Sequence, residues 1–305
     1  VDPAVEGHLA ATAGERLERL LAFARIPSIS ALPEHAASMR TAAEWVADEL
    51  RRVGADGVEV VATAGHPVVT GRIHPTPGAP TALVYCHYDV QPVDPLDLWE
   101  SAPFEPFVRD GRIVGRGTAD DKGQLVMHLA AVEALQAARG GLPVNLTFVF
   151  EGEEEHGSDN LYPWLEANRD RLVADLAVIS DTGFFEGNVP AITVALRGIM
   201  YAQIDVWGSP VDLHSGSYGG LVENPANALA RIISGLKGPD GRVRIPGFYD
   251  DVVGLSDEER AELMALPFDE AELRAAIGVD ALVGEAGFAP LERRGARPTL
   301  DVNGT

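Results

Sequence analysis

The segment Glu151-Gly152-Glu153-Glu154-Glu155-His156-Gly157-Ser158 puts three consecutive carboxylates just beyond an apolar run, residues 144–150. Like charges packed at the mouth of a buried strand repel one another unless a cation sits among them. Three further clusters offer similar ligands: Tyr85-Cys86-His87-Tyr88-Asp89-Val90-Gln91-Pro92, Gly115-Arg116-Gly117-Thr118-Ala119-Asp120-Asp121-Lys122-Gly123 and Ile179-Ser180-Asp181-Thr182. Each lies at or just past an apolar run or a glycine-rich turn.

His87 and Asp89 are two residues apart, so on an extended backbone they point the same way while Cys86 and Tyr88 point the other. His87 is a natural nitrogen ligand, and Asp89 could accept its second ring N–H and fix the tautomer. A helix N-cap explains one of Asp120 and Asp121, but not both. A carboxylate has two oxygens and can bridge two cations, a role assigned to Asp120; paired metals about 3.5–4 Å apart clamp hydrolytic reactions. Of Glu154 and Glu155, one can bind metal while its neighbour stays free to take a proton from activated water. Asp181 completes the ligand set. Imidazole mixed with carboxylates suits Zn²⁺, with Mn²⁺ or Co²⁺ as alternatives.

These residues need a scaffold that brings them together. Residues 14–25 and 36–53 read as amphipathic helices; in the second, Met39, Ala43, Val46, Leu50 and Val53 recur at helical spacing, and Gly54 can close it. Strands are expected at 58–62, 68–73, 81–86, 144–150 and 176–179, and helices at 122–138 and 159–168. The alternation implies an α/β fold, a mostly parallel sheet flanked by helices, with ligands beyond the carboxyl ends of its strands. After about Val189 the pattern changes. Strands are expected at 191–196 and 200–206, a helix at 225–236, and a Ser256/Glu259 capping box opening another. The expected domains are 1–190, carrying the metal site, and a smaller α/β domain at 191–305.

Other chemistries fit poorly. A net charge of −22 argues against nucleic acid, which needs a basic face. No apolar run approaches the roughly 18 residues of a membrane span. The single cysteine, Cys86, excludes an intrachain disulfide, fits a reducing, cytoplasmic setting, and points away from His87. There is no Gly-x-Ser-x-Gly elbow, and Gly115-Arg116-Gly117 lacks dinucleotide-fingerprint spacing.

Taken together, the four clusters resemble the dinuclear-zinc exopeptidase family of carboxypeptidase G2, aminoacylase and carnosinase. The segments at 99–106 and at Asp212-Leu213-His214-Ser215-Gly216 are similar to its cytosolic nonspecific dipeptidase and carnosinase branch. The resemblance runs from about residue 15 onward. It implies a zinc-exopeptidase-like catalytic domain with an inserted lid that dimerises. His87 and Asp181 would hold one metal and Glu155 the other. Asp120 would bridge them, through a cis peptide to Asp121. Asp89 would orient His87, Glu154 would be the general base, and His214 would reach a partner subunit's site to stabilise the oxyanion. Two divalent metal ions, a small peptide substrate and a homodimer follow, with dipeptide hydrolysis expected ahead of N-acyl-amino-acid deacylation.

Relatives continue further. The final histidine ligand and the arginine for the substrate carboxylate are not recognisable here, and residues 300–305 read as a strand in an unfinished lid. The expectation is that roughly a third of the whole is absent, with a catalytically silent fragment as the alternative to an active peptidase.

Overall fold

The computed structural model describes residues 2–185 and 189–304. The chain divides into two compact units, Val1–Gly183 and Phe184–Thr305.

In the first unit, α1 (Pro3–Ala11) is capped by Asp2, whose carboxylate accepts the Ala4 amide at 3.0 Å; α2 (Ala13–Ala24) and α3 (Ala36–Arg52) follow. The periodicity of α3 buries Met39, Ala43, Val46 and Leu50 together, and Gly54 beyond it adopts φ +83°. The strands are β1 (Asp56–Val61), β2 (Val68–Ile73), β3 (Thr81–His87), the short hairpin β4 (Phe107–Arg109) and β5 (Arg112–Val114), then β6 (Asn145–Glu151) and β7 (Leu176–Ile179). Helix α4 (Lys122–Arg139) precedes β6, and α5 (Leu161–Ala167) lies between β6 and β7.

The main sheet has the order β1-β2-β6-β3-β7. It is mixed: β6-β3-β7 pair in parallel, as the β/α alternation predicts, while β1-β2 and β2-β6 pair antiparallel. The short connection from β1 to β2 has no room for a crossover helix, so that pair returns as an antiparallel hairpin. Alternation sorts the strand side chains onto two faces. Val84, Cys86, Phe148 and Phe150 pack with residues of α2, α3 and α4, while Val68 and Val149 pack with Leu161 and Trp164 of α5. The fully buried β6 is the central plank. In the register of β3 and β6, His87 stands opposite Glu151, so the ends of both strands open at one edge.

The second unit contains α6 (Ser215–Tyr218), α7 (Pro225–Leu236), α8 (Asp257–Met264), α9 (Glu270–Ile277) and α10 (Pro290–Gly295). Helix α7 has the expected bounds, and α8 opens with the Ser256/Glu259 capping box. Buried Glu285 joins Arg242 and Arg297, and buried Glu292 pairs with Arg260. The strands expected at 191–196 and 200–206 do not form; both segments lack a ladder, and Ile192, Val194 and Leu196 are 90%, 92% and 84% exposed. Alternating apolar residues make a segment competent for a strand, but a strand needs a hydrogen-bonding neighbour, and the described residues of this unit supply none. Residues 300–304 are likewise without strand structure, and Thr305 lies outside the described residues. Among the described residues, no helix is long and apolar enough to cross a membrane.

Candidate metal centre

His87 is the last residue of β3 and is fully buried. Its Nδ1 lies 3.2 Å from Asp89 Oδ1 and 3.2 Å from the Asp89 carbonyl. With Nδ1–H held there, Nε2 faces outward, 3.0 Å from Asp120 Oδ1, 3.9 Å from Asp181 Oδ2 and 4.0 Å from Glu154 Oε2. His87, Asp120 and Asp181 each offer a ligand atom within 4.8 Å of the others. Three carboxylates therefore converge on one ring nitrogen, an excess of acceptors that suits a divalent cation and no neutral hydrogen-bond network.

The electrostatics follow from that crowding. Burial alone would push the His87 imidazole down, but hydrogen bonds to Asp120 and Asp89 and the nearby negative charges outweigh it and raise it to about 11. Burial raises Asp181, and the charge of Asp120 adds to it. Burial likewise raises Glu154, with Asp181, Glu155 and Asp89 adding to the effect. Asp120 is lowered, chiefly by its hydrogen bond to His87.

Local chemistry explains why these loops hold this shape. The Asp120–Asp121 peptide is cis. Asp121 sits at the N-cap of α4 yet makes no capping bond. Its Oδ2 instead accepts the His87 amide at 3.1 Å, fastening the α4 loop to the end of β3. Burial pushes the Asp121 carboxyl up to about 7, although the charge and amide of His87 oppose the shift. At Gly123 a Cβ would stand 2.2 Å from the Thr118 carbonyl, so the first turn of α4 closes on that loop only with glycine there. The neighbouring Lys122 is buried and donates to the Ile26 carbonyl at 2.7 Å and the Phe23 carbonyl at 3.2 Å.

The carboxylates after β6 play unequal parts. Glu153 is buried and saturated by donors, the His66 amide at 2.9 Å and Asn160 Nδ2 at 3.0 Å, so it staples the loop. Glu154 keeps a partly exposed carboxylate toward His87. Glu155 gives its amide to Asp89 Oδ2 at 3.1 Å, while its carboxylate accepts Gln91 Nε2 at 2.8 Å. Asp89 thus ties the ring of His87 to the Glu155 backbone. Cys86 is buried in the core and its thiol is pushed well up by burial, which leaves it no nucleophilic role.

The structure brings His87, Asp89, Asp120, Glu154 and Asp181 together. Glu155 lies outside the three-residue cluster. His214 belongs to the second unit, where it is exposed and its Nδ1 accepts the Gly216 amide at 3.1 Å. Sequence reasoning missed the positioning parts of Asp121 and Gln91. Both sit inside the clusters that carry the ligands, and that proximity was the available signal.

Residues 83–294 match the model of peptidase family M20/M25/M40. The chain belongs to that family. It is 35% identical over 305 residues to the Cys-Gly metallodipeptidase dug1 of Schizosaccharomyces pombe, covering 95% of this chain and 63% of that protein. It is 34% identical over 240 residues to the human Beta-Ala-His dipeptidase, covering 78% of this chain and 47% of that protein. Among solved structures it is similar to the di-peptidase Dug1p of Saccharomyces cerevisiae, with TM-score 0.82 and 28% identity over 99% of this chain and 66% of that one. The M20 family metallo-carboxypeptidase Sso-CP2 of Sulfolobus solfataricus gives TM-score 0.78 and 35% identity over 95% of this chain and 65% of that one. The chain therefore spans less than two thirds of the curated relatives it matches. The matched segment contains His87, Asp120 and Asp181, the group that could hold a divalent cation among the described residues.

Proposed function

We propose that this M20/M25/M40 chain carries the metal centre of a dipeptidase that hydrolyses small peptides with water as the nucleophile. The observation behind this reading is the convergence of Asp120, Asp181 and Glu154 on His87 Nε2, with Asp89 behind the ring at Nδ1. His87, Asp120 and Asp181 would hold one cation, Zn²⁺ by its donor set, and Asp120 with Glu155 would contribute to a second. When bound, such cations polarise a scissile carbonyl and make water a nucleophile at neutral pH.

The protein's own groups supply the rest. Asp89 holds the imidazole with Nδ1 protonated, so that Nε2 is the nitrogen whose lone pair would bind the cation. Glu154 is near the ligands without being one of the three clustered donors, and we assign it the general base that takes the water proton and returns it to the leaving amine. Asp121 and Asp89 fix the loops that carry these groups. His214 is proposed to stabilise the oxyanion in a homodimer, a role supported by the resemblance of its segment rather than by geometry. A cytoplasmic location is proposed from the single buried cysteine.

The relatives' names favour dipeptides. The full-length protein loaded with Zn²⁺ or Mn²⁺ should release free amino acids from dipeptides such as Cys-Gly. Turnover of N-acetyl amino acids alone would move the substrate class to deacylation, and no turnover of either group would overturn the enzymatic reading.

A further inference from the structure

Asp181 is poorly held by the sheet. Among the described residues β7 pairs with β3 alone, from Leu176 to Ile179, and the ladder ends at Ile179 opposite Tyr85, so Asp181 lies beyond it on an edge strand. The Thr182 amide bonds locally to the Ser180 carbonyl at 2.6 Å, which shapes the turn but does not anchor it. The ties to the rest of the unit come from α4. Gln124 Nε2 donates to the Ala119 carbonyl at 2.6 Å and to the Thr182 carbonyl at 3.3 Å. His128 Nε2 lies 2.8 Å from Ser180 Oγ.

These contacts bracket the two carboxylate ligands. Ala119 immediately precedes Asp120, while Ser180 and Thr182 flank Asp181. Gln124 and His128 are four residues apart and so share one face of α4. The helix itself is fixed at its start, by the close approach of Gly123 to Thr118 and by the buried Lys122 ammonium on the Phe23 and Ile26 carbonyls. Burial pushes the His128 imidazole down, which favours the neutral ring.

We infer that Gln124 and His128 are positioning residues that yoke the Asp120 and Asp181 loops to α4 and set the spacing of the two carboxylates for the cation. Gln124 spans both loops with a single amide group, and His128 stops the edge-strand turn from swinging away. Neither touches the cation or the substrate. The inference rests on the metal-centre reading above.

The test measures Zn²⁺ affinity by competition with a chromophoric chelator, beside thermal unfolding of the metal-free protein. Gln124→Met keeps the side-chain volume and removes both donated bonds. His128→Ala removes the contact to Ser180. Each should weaken Zn²⁺ binding about 10–100-fold, the range for groups that orient metal ligands, with the metal-free Tm unchanged. His128→Ala combined with Ser180→Ala should lose no more affinity than His128→Ala alone, because both remove one contact. His128→Gln restores a polar group of similar reach and should recover part of the loss. Unchanged Zn²⁺ affinity in Gln124→Met, additive losses in the double variant, or a metal-free Tm that falls with affinity would each overturn the yoke. His87→Ala separates the two levels. Retained Zn²⁺ binding there overturns the metal centre itself, whereas lost binding there beside full affinity in Gln124→Met overturns only the positioning role.

Discussion

The main-chain amide of His87 donates to the side chain of Asp121, 3.1 Å away, at the point where β3 gives way to the site loop. The second aspartate of the pair thus faces backward into the scaffold while Asp120 faces the ring of the same histidine. Asp121→Ala would leave a buried amide unpaired, at about 1–3 kcal/mol, and release the loop that sets Asp120. Metal affinity should fall by about 10–100-fold. Asp121→Asn keeps an acceptor oxygen and should retain most of it. Chelator competition on the two variants checks the ordering, and equal affinities would remove Asp121 from the positioning of the site.

Glu154→Gln tests the division of labour among the three glutamates. The amide has nearly the same shape but no longer takes a proton, so turnover should drop by about 10²–10⁴-fold while metal content stays near that of the parent. Glu153 is an unsuitable substitute base, since the His66 amide and Asn160 occupy its carboxylate. Metal analysis beside steady-state kinetics decides the matter. Undiminished turnover would place the base elsewhere.

Loading the site should release protons. In the metal-free protein His87 is raised to about 11, so it carries its extra proton at neutral pH. A metal ligand must be the neutral ring, so the cation displaces that proton. The sign follows: lower pH favours the protonated ring and weakens binding, and apparent affinity climbs as pH rises toward the raised value. Calorimetric titration of Zn²⁺ in buffers of different ionisation enthalpy reads the proton count directly. A heat independent of buffer would contradict a protonated His87.

How much of this was legible in the sequence varies with the kind of interaction. The parity of His87 and Asp89 against Cys86 and Tyr88 is a local property of an extended chain, and it survives intact: Cys86 and Tyr88 lie in the core while His87 meets Asp89. The parallel part of the sheet followed from the β/α alternation, whereas the antiparallel pairing of β2 with β6 depends on a choice of partner that no local pattern encodes. The backward turn of Asp121 depends on a donor 34 positions away and so escaped the local N-cap argument. In the second unit, residues 191–206 show strand alternation without a neighbour to realise it.

Gly152 separates two of the acidic residues for a steric reason. A Cβ there would stand 2.5 Å from both Cζ and the hydroxyl oxygen of Tyr88, whose ring is buried and whose hydroxyl donates to the Pro67 carbonyl at 2.6 Å. The ring is held at both ends, because the Tyr88 amide also donates to the Glu151 carbonyl at 2.8 Å. Gly152→Ala should therefore destabilise the first unit by about 1–3 kcal/mol, as overpacking of a closed core does. It should also lower turnover by shifting Glu154. Gly157→Ala is the contrast, with no neighbour within 4 Å of an added Cβ but a backbone at φ +104° that disfavours alanine. Denaturant unfolding checks both, and an unperturbed midpoint in Gly152→Ala would mean that Tyr88 yields.

The second unit should show an acid-sensitive joint at Glu292. Its carboxyl is held below the ordinary glutamate range, first by the Ala289 amide, which donates to Oε2 at 2.8 Å, and then by Arg260, whose Nε donates to Oε1 at 2.7 Å. A folded-state value below the unfolded one adds stability above the unfolded value, and that stability is lost as pH falls through the folded value. Glu292→Gln should thus lower the Tm of the second unit at neutral pH. The gap to the parent should begin to narrow below about 4, where the carboxyl of the unfolded chain takes a proton, and should close once the folded carboxyl is protonated as well. Calorimetric scans across that range on both proteins read the difference, and a gap independent of pH would show that the charge of Glu292 contributes nothing to the joint.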